Sequence, residues 1–134
     1  FRLDITVQEF SDANASGGLL YIHSDDNYLT LLVSRDGDKA VVAAAKNEKG
    51  NISALGEYVF PAFPENGIKL SLVGDMRNVS LYANETQIAE GINSAFLSSE
   101  LAGGFVGCTY GPYATTNEAD APARIHFTDW GVNY

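Results

Sequence analysis

Ser98-Ser-Glu-Leu-Ala-Gly-Gly-Phe-Val-Gly-Cys-Thr-Tyr-Gly-Pro-Tyr-Ala-Thr115, followed by the terminal run Ile125-His-Phe-Thr-Asp-Trp-Gly-Val-Asn-Tyr134, reads as the closing strands of a β-sandwich. Gly104, Gly107 and Gly111 interrupt an aromatic, β-prone run. Isolated glycines in a strand mark bulges, or places where a side chain would block a neighbouring backbone. The terminal run has the length and apolar density of one further strand.

Working back from these segments, the chain reads almost entirely as strands. Arg2 to Phe10 alternates, with Leu3, Ile5 and Val7 on one face and Asp4, Thr6 and Gln8 on the other, the period of a half-buried strand. Ser11 to Gly17 is predicted as a polar loop. Gly18 to His23 and Tyr28 to Arg35 flank Ser24-Asp-Asp-Asn27 as a hairpin does, and Leu29, Leu31 and Val33 share a face. Asp36-Gly37 is a hairpin turn signal leading into Lys39 to Lys46, and Asn47 to Gly50 turns the chain into Ile52 to Phe60. The prolines of Pro61 to Gly67 mark a loop. Ile68 to Val73, Asn78 to Ala83 and Thr86 to Ala89 continue the meander, and Ile92 to Leu101 reads as a loop with one helical turn. Short strands punctuated by regular turns predict an all-β fold, and the alternation favours antiparallel sheets.

Composition bounds the rest. With 134 residues, 46% hydrophobic and 19% charged, the chain suits one domain, residues 1–134, with a core of its own. Seventeen acidic against eight basic residues give a net charge of −9, which repels the phosphate backbone and argues against nucleic-acid binding. No apolar run approaches the roughly 18 residues of a membrane span. The chain opens directly on a strand without a signal-type segment, as a piece excised from a longer protein would. A single cysteine, Cys108, excludes an intrachain disulfide and leaves an extracellular location open.

The closing strands, together with Gly18-Leu-Leu-Tyr-Ile-His-Ser-Asp-Asp-Asn-Tyr-Leu29 and Ile68-Lys-Leu-Ser-Leu-Val73, resemble in order and spacing the C-terminal concanavalin A-like domain of family 43 glycoside hydrolases, the β-xylosidase and arabinofuranosidase group. One segment, Ser80-Leu-Tyr-Ala-Asn-Glu-Thr-Gln-Ile-Ala-Glu-Gly91, is more similar to laminin-G-type and fructan-binding modules. The resemblance implies a two-sheet antiparallel β-sandwich, the concanavalin A-like jelly roll, without catalytic machinery of its own. It also implies a partner. In the family such a domain packs on a five-bladed propeller of the same parent chain, which holds the catalytic carboxylates, and lends an aromatic residue to the sugar pocket. The alternative is a free-standing carbohydrate-binding module or lectin-like domain for xylan, arabinan or fructan.

Residues suited to catalysis are sparse. Asp25 and Asp26 are neighbours in a turn and do not form the spaced carboxylate pair of a glycosidase. His23 and His126 lie in strands without metal-ligand spacing or a serine-elbow motif. Cys108 reads as a small buried hydrophobe, and Gly103 to Gly107 lacks the lysine and following helix of a phosphate loop.

Sugar binding asks for less. An aromatic ring offers a flat face to the C–H surface of a pyranose, with polar neighbours orienting its hydroxyls. Tyr28, Tyr82, Tyr110, Tyr113 and Trp130 are the carbohydrate-binding candidates; Tyr82 falls on the polar face, opposite to Val79, Leu81 and Ala83. Asn14, Asn51, Asn78 and Asn84 each open an N-glycosylation acceptor. By analogy with concanavalin-like sandwiches, Asp129 on the terminal strand and Asp4 near the N-terminus are the candidates for a structural Ca²⁺; otherwise Asp129 faces solvent.

Overall fold

Alternation of apolar and polar residues decides which side of each strand is buried, and ten strands result among the described residues. They are β1 (Arg2–Phe10), β2 (Ala15–Ser24), β3 (Asn27–Asp36), β4 (Lys39–Glu48), β5 (Asn51–Phe60), β6 (Ile68–Gly74), β7 (Asn78–Ala83), β8 (Thr86–Asn93), β9 (Thr109–Thr116) and β10 (Ile125–Asn133). The computed structural model describes residues 2–10, 15–74, 78–93, 109–116 and 125–133; for residues 9, 10, 15, 23 and 109–116 it describes the backbone alone. Among the described residues there is no helix.

Two five-stranded sheets form, in the orders β10-β1-β6-β7-β8 and β5-β4-β3-β2-β9. Every pairing given by the register is antiparallel. The architecture is the expected two-sheet sandwich. Leu3, Ile5 and Val7 of β1, with Leu70 and Leu72 of β6, pack from the first sheet against Leu19, Leu29, Leu31, Val33 and Val42 of the second. All are at most 2% exposed, so the layers share one dry core.

Where the two layers approach, side chains give way to backbone. A Cβ on Gly18 of β2 would fall against the Leu31 carbonyl oxygen and 2.7 Å from Leu70 Cδ1 of the opposite sheet. On Gly56 of β5 it would meet the Ile88 carbonyl of β8. Only hydrogen fits at either position.

The structure moves several predicted boundaries. β2 begins at Ala15, inside the segment read as a loop to Gly17, because Ala15 to Gly18 pair with residues 113–116 of β9 and residues 16–18 with β3. β4 runs on to Glu48, leaving only Lys49 and Gly50 in the turn, both with positive φ (54° and 84°). β8 extends to Asn93, so Ile92 belongs to a strand, paired with Val79 and buried in the core. The rest of the predicted helical turn, Gly103 to Gly107 and Cys108 lie outside the described residues.

Candidate functional site

Each sheet has one face in the core, so the two outward faces are where the domain meets its surroundings. They differ sharply in chemistry.

The outward face of the β10-β1-β6-β7-β8 sheet is polar. Arg2 Nε donates to both oxygens of Asp4, at 2.8 and 2.9 Å, and Ser71 Oγ donates to Asp4 Oδ1 at 2.6 Å. Arg2 Nη2 also reaches Glu85 Oε1 at 3.1 Å, and Lys69 Nζ reaches the same oxygen at 3.3 Å. The hydrogen bond from Lys69, joined by those from Arg2, holds the Glu85 carboxyl below the usual carboxylate range. The hydrogen bond to Asp4 likewise raises the Arg2 guanidinium, even though burial opposes it. Gln8 Nε2 donates to Thr128 Oγ1 at 2.9 Å, tying β1 to β10 on this side. Tyr82 lies here, half-buried, in register with Ser71 and Gln87, on the face assigned to it by sequence.

The outward face of the second sheet is apolar. Register aligns Ile22, Tyr28, Asn47 and Ile52 in one row across β2, β3, β4 and β5, and Leu20, Thr30, Ala45 and Ala54 in the next. Between these rows lies a depression of about 300 Å³, with Leu20, Ile22, Tyr28, Leu32 and Ile52 on its walls and Asp25 also lining it. Asn47 is 6% exposed, and its Oδ1 has no hydrogen-bond donor among the described residues.

Of the predicted aromatic residues, Tyr28, Tyr82 and Trp130 have described side chains, and these three do not share one surface. Tyr28 and Tyr82 face outward from opposite sheets. Trp130, 40% exposed, lies on the edge strand β10. Tyr110 and Tyr113 are on β9, the edge strand of the other sheet that adjoins β10, at positions paired with Tyr21 and Gly18; their side chains lie outside the described residues. His126 is exposed on β10.

Asp4 and Asp129 do fall on paired strands. Asp4 pairs with Gly131 and Thr6 with Thr128, and the register shift between them places Asp129 in a bulge with φ of 55°. Asp129 is exposed, whereas Asp4 is occupied by Arg2 and Ser71. Ca²⁺ takes six to eight converging oxygens. Among the described residues no group of three or more His, Cys, Asp or Glu could hold a metal ion.

What the sequence reading passed over is the apolar outward face itself. Its signal was present: Leu31-Leu-Val33 and Ala40-Val-Val-Ala-Ala-Ala45 are continuous apolar runs, and strands covered on both sides lose their alternation.

Comparison with known proteins adds the family context. The family model of the β-xylosidase C-terminal concanavalin A-like domain matches residues 2–131. A xylosidase/arabinosidase of Butyrivibrio fibrisolvens is 30% identical over 106 residues, which make up 78% of this chain and 20% of that protein. The crystal structure of the GH43 BlXynB protein from Bacillus licheniformis superposes with a TM-score of 0.69 at 16% identity, covering 94% of this chain and 26% of that one. The carbohydrate-binding module CBM66 from Bacillus subtilis superposes with a TM-score of 0.59 at 18% identity, covering 96% of this chain and 70% of that one. The chain thus spans about a fifth to a quarter of the length of the two larger proteins it resembles.

Proposed function

Because the chain belongs to the family of β-xylosidase C-terminal concanavalin A-like domains, we propose that it is a non-catalytic accessory domain of a plant-polysaccharide-degrading glycoside hydrolase, packing on a catalytic propeller of the same parent chain and helping to shape the sugar pocket. The observation that carries this reading is one of proportion. The family match takes in residues 2–131, while the xylosidase/arabinosidase relative is about five times longer than the segment it shares.

The electrostatics support it. A glycosidase needs one carboxyl with a raised pKa as general acid and a second at a fixed distance from it. The Glu85 carboxyl is displaced downward by its hydrogen bonds from Lys69 and Arg2, the direction opposite to that of a general acid. The test compares the parent enzyme with and without this domain on aryl xylosides and arabinosides. An accessory domain that shapes the pocket lowers kcat/KM when removed. Unchanged kinetics in a stable, truncated enzyme would remove that role.

A second reading, a carbohydrate-binding module for xylan, arabinan or fructan, draws on the likeness to CBM66 and on the depression that Tyr28 and Asp25 both line. Titration calorimetry of the isolated chain against soluble xylan, arabinan and fructan oligosaccharides tests it, with Tyr28→Ala as the control.

A further inference from the structure

We infer that the outward face of β2, β3, β4 and β5 is the surface by which this domain docks on the catalytic domain of its parent chain. This deepens the accessory role proposed above and rests on it. A two-layer sandwich needs one apolar face per sheet, and the first sheet keeps to that rule by turning Arg2, Asp4, Gln8 and Lys69 outward. The second sheet is apolar on both faces. Outward from it point Leu20, Ile22, Leu32 and Val41, while Ile52 is 70% and Val59 43% exposed.

The charge distribution sharpens the contrast. In a chain of net charge −9, the outward positions of β3 from Tyr28 to Ser34 and of β4 from Val41 to Asn47 hold no ionisable group except the Tyr28 phenol. Soluble monomers rarely leave so continuous an apolar patch open to water. Four strands about 4.8 Å apart, with four outward residues along each, give a footprint of roughly 300 Å² per partner, at the lower bound of inter-domain interfaces.

Two facts choose the occupant. Roughly three quarters to four fifths of each matched enzyme lies outside the region that this chain covers, so a large neighbour is at hand in such chains. A second copy suits the face less well. Isologous pairing would bring the acidic margins at Asp25 and Glu57 of two strongly negative chains together. The fitting partner surface is apolar at its centre, with basic groups opposite Asp25 and Glu57.

Cysteine labelling decides the matter. Ile52→Cys on the apolar face and Gln87→Cys on the polar face are each introduced into the full parent chain and into the 134-residue chain, with the unsubstituted proteins setting the background from Cys108. Both positions are exposed, so neither change threatens folding. Docking predicts that a maleimide labels Ile52→Cys roughly tenfold or more slowly in the full chain than in the short one, because reaction then waits on opening, while Gln87→Cys labels equally fast in both. Slowing at Gln87→Cys alone would leave the packing role standing and overturn the face assigned to it. No slowing at either site would overturn both. Slowing at both sites would overturn the assignment to one face. Slow labelling of Ile52→Cys in the short chain, with a doubled mass by light scattering, would identify a second copy as the occupant and likewise overturn the inference.

Discussion

The Asp4 carboxylate receives hydrogen bonds from Arg2 and Ser71, and that occupancy decides two residue-level expectations. A Ca²⁺ bound between Asp4 and Asp129 would have to displace a guanidinium that already neutralises the site. Melting curves in EDTA and in millimolar Ca²⁺ are therefore expected to coincide; a shift of several degrees that Asp129→Ala abolishes would establish the metal instead. The second expectation concerns Glu85. Its folded-state pKa lies below its unfolded value, so its contribution to stability is present above the unfolded pKa and is lost as pH falls through the folded one. Glu85→Gln should lower Tm slightly at neutral pH and low salt. The difference should close on acidification and, because the Glu85 side chain is exposed, also at high salt. Little of this was legible in sequence. Tyr82 was placed on its correct face by alternation, but Arg2, Ser71 and Glu85 meet across strands distant in the chain, and no local pattern announces such pairs.

At the scale of elements, turn chemistry fixes the register that alternation then fills. Asn84 and Glu85 both have positive φ, 47° and 65°, in the tight turn between β7 and β8. Such turns match strand twist and favour asparagine first. Asn84 also braces β6: its Oδ1 accepts from the Lys69 amide and its own amide donates to the Lys69 carbonyl, each at 2.8 Å. Asn84→Ala leaves in the left-handed region a residue without asparagine's tolerance for it, at a cost of at most about 1–2 kcal/mol, and removes two side-chain hydrogen bonds, from the Lys69 amide at 2.8 Å and to the Gly67 carbonyl at 3.4 Å, the shorter worth about 1 kcal/mol. Asn84→Gly should recover the first cost alone, and urea unfolding of the two variants separates the contributions. Gly18→Ala is expected to cost about 1–3 kcal/mol by overpacking, since β2 would have to move off the Leu31 carbonyl. The alternating strands β1, β3 and β7 were readable from sequence. The extension of β8 to Asn93 was not, because Gly91 at φ 60° and the register shifts after Val79 and Leu81 break the two-residue period that would reveal it.

For the whole molecule, the division into one polar and one apolar outward face limits what the isolated domain can do with a sugar. The sequence pattern separated inside from outside where the strands alternate, as in β1 and β7, but it could not assign the aromatic residues to a common surface. That depends on which sheet each strand joins. With Tyr28 on one outward face, Tyr82 on the other and Trp130 at an edge, no described groove offers two rings to one oligosaccharide. Among the described residues a candidate is the shallow depression of about 300 Å³ beside Tyr28, near the lower limit for a small-molecule pocket. A single stacked ring buries little ligand surface, while the loss of ligand freedom on binding is still incurred. Affinity for soluble oligosaccharides is therefore expected in the range of roughly 10 µM to 1 mM. Calorimetry against xylan, arabinan and fructan fragments measures it, and Tyr28→Ala should abolish whatever heat is seen, whereas Tyr82→Ala should leave it unchanged. A nanomolar constant would contradict a shallow one-ring site, and binding lost with Tyr82→Ala but retained with Tyr28→Ala would place the sugar on the polar sheet and separate carbohydrate recognition from the apolar face altogether.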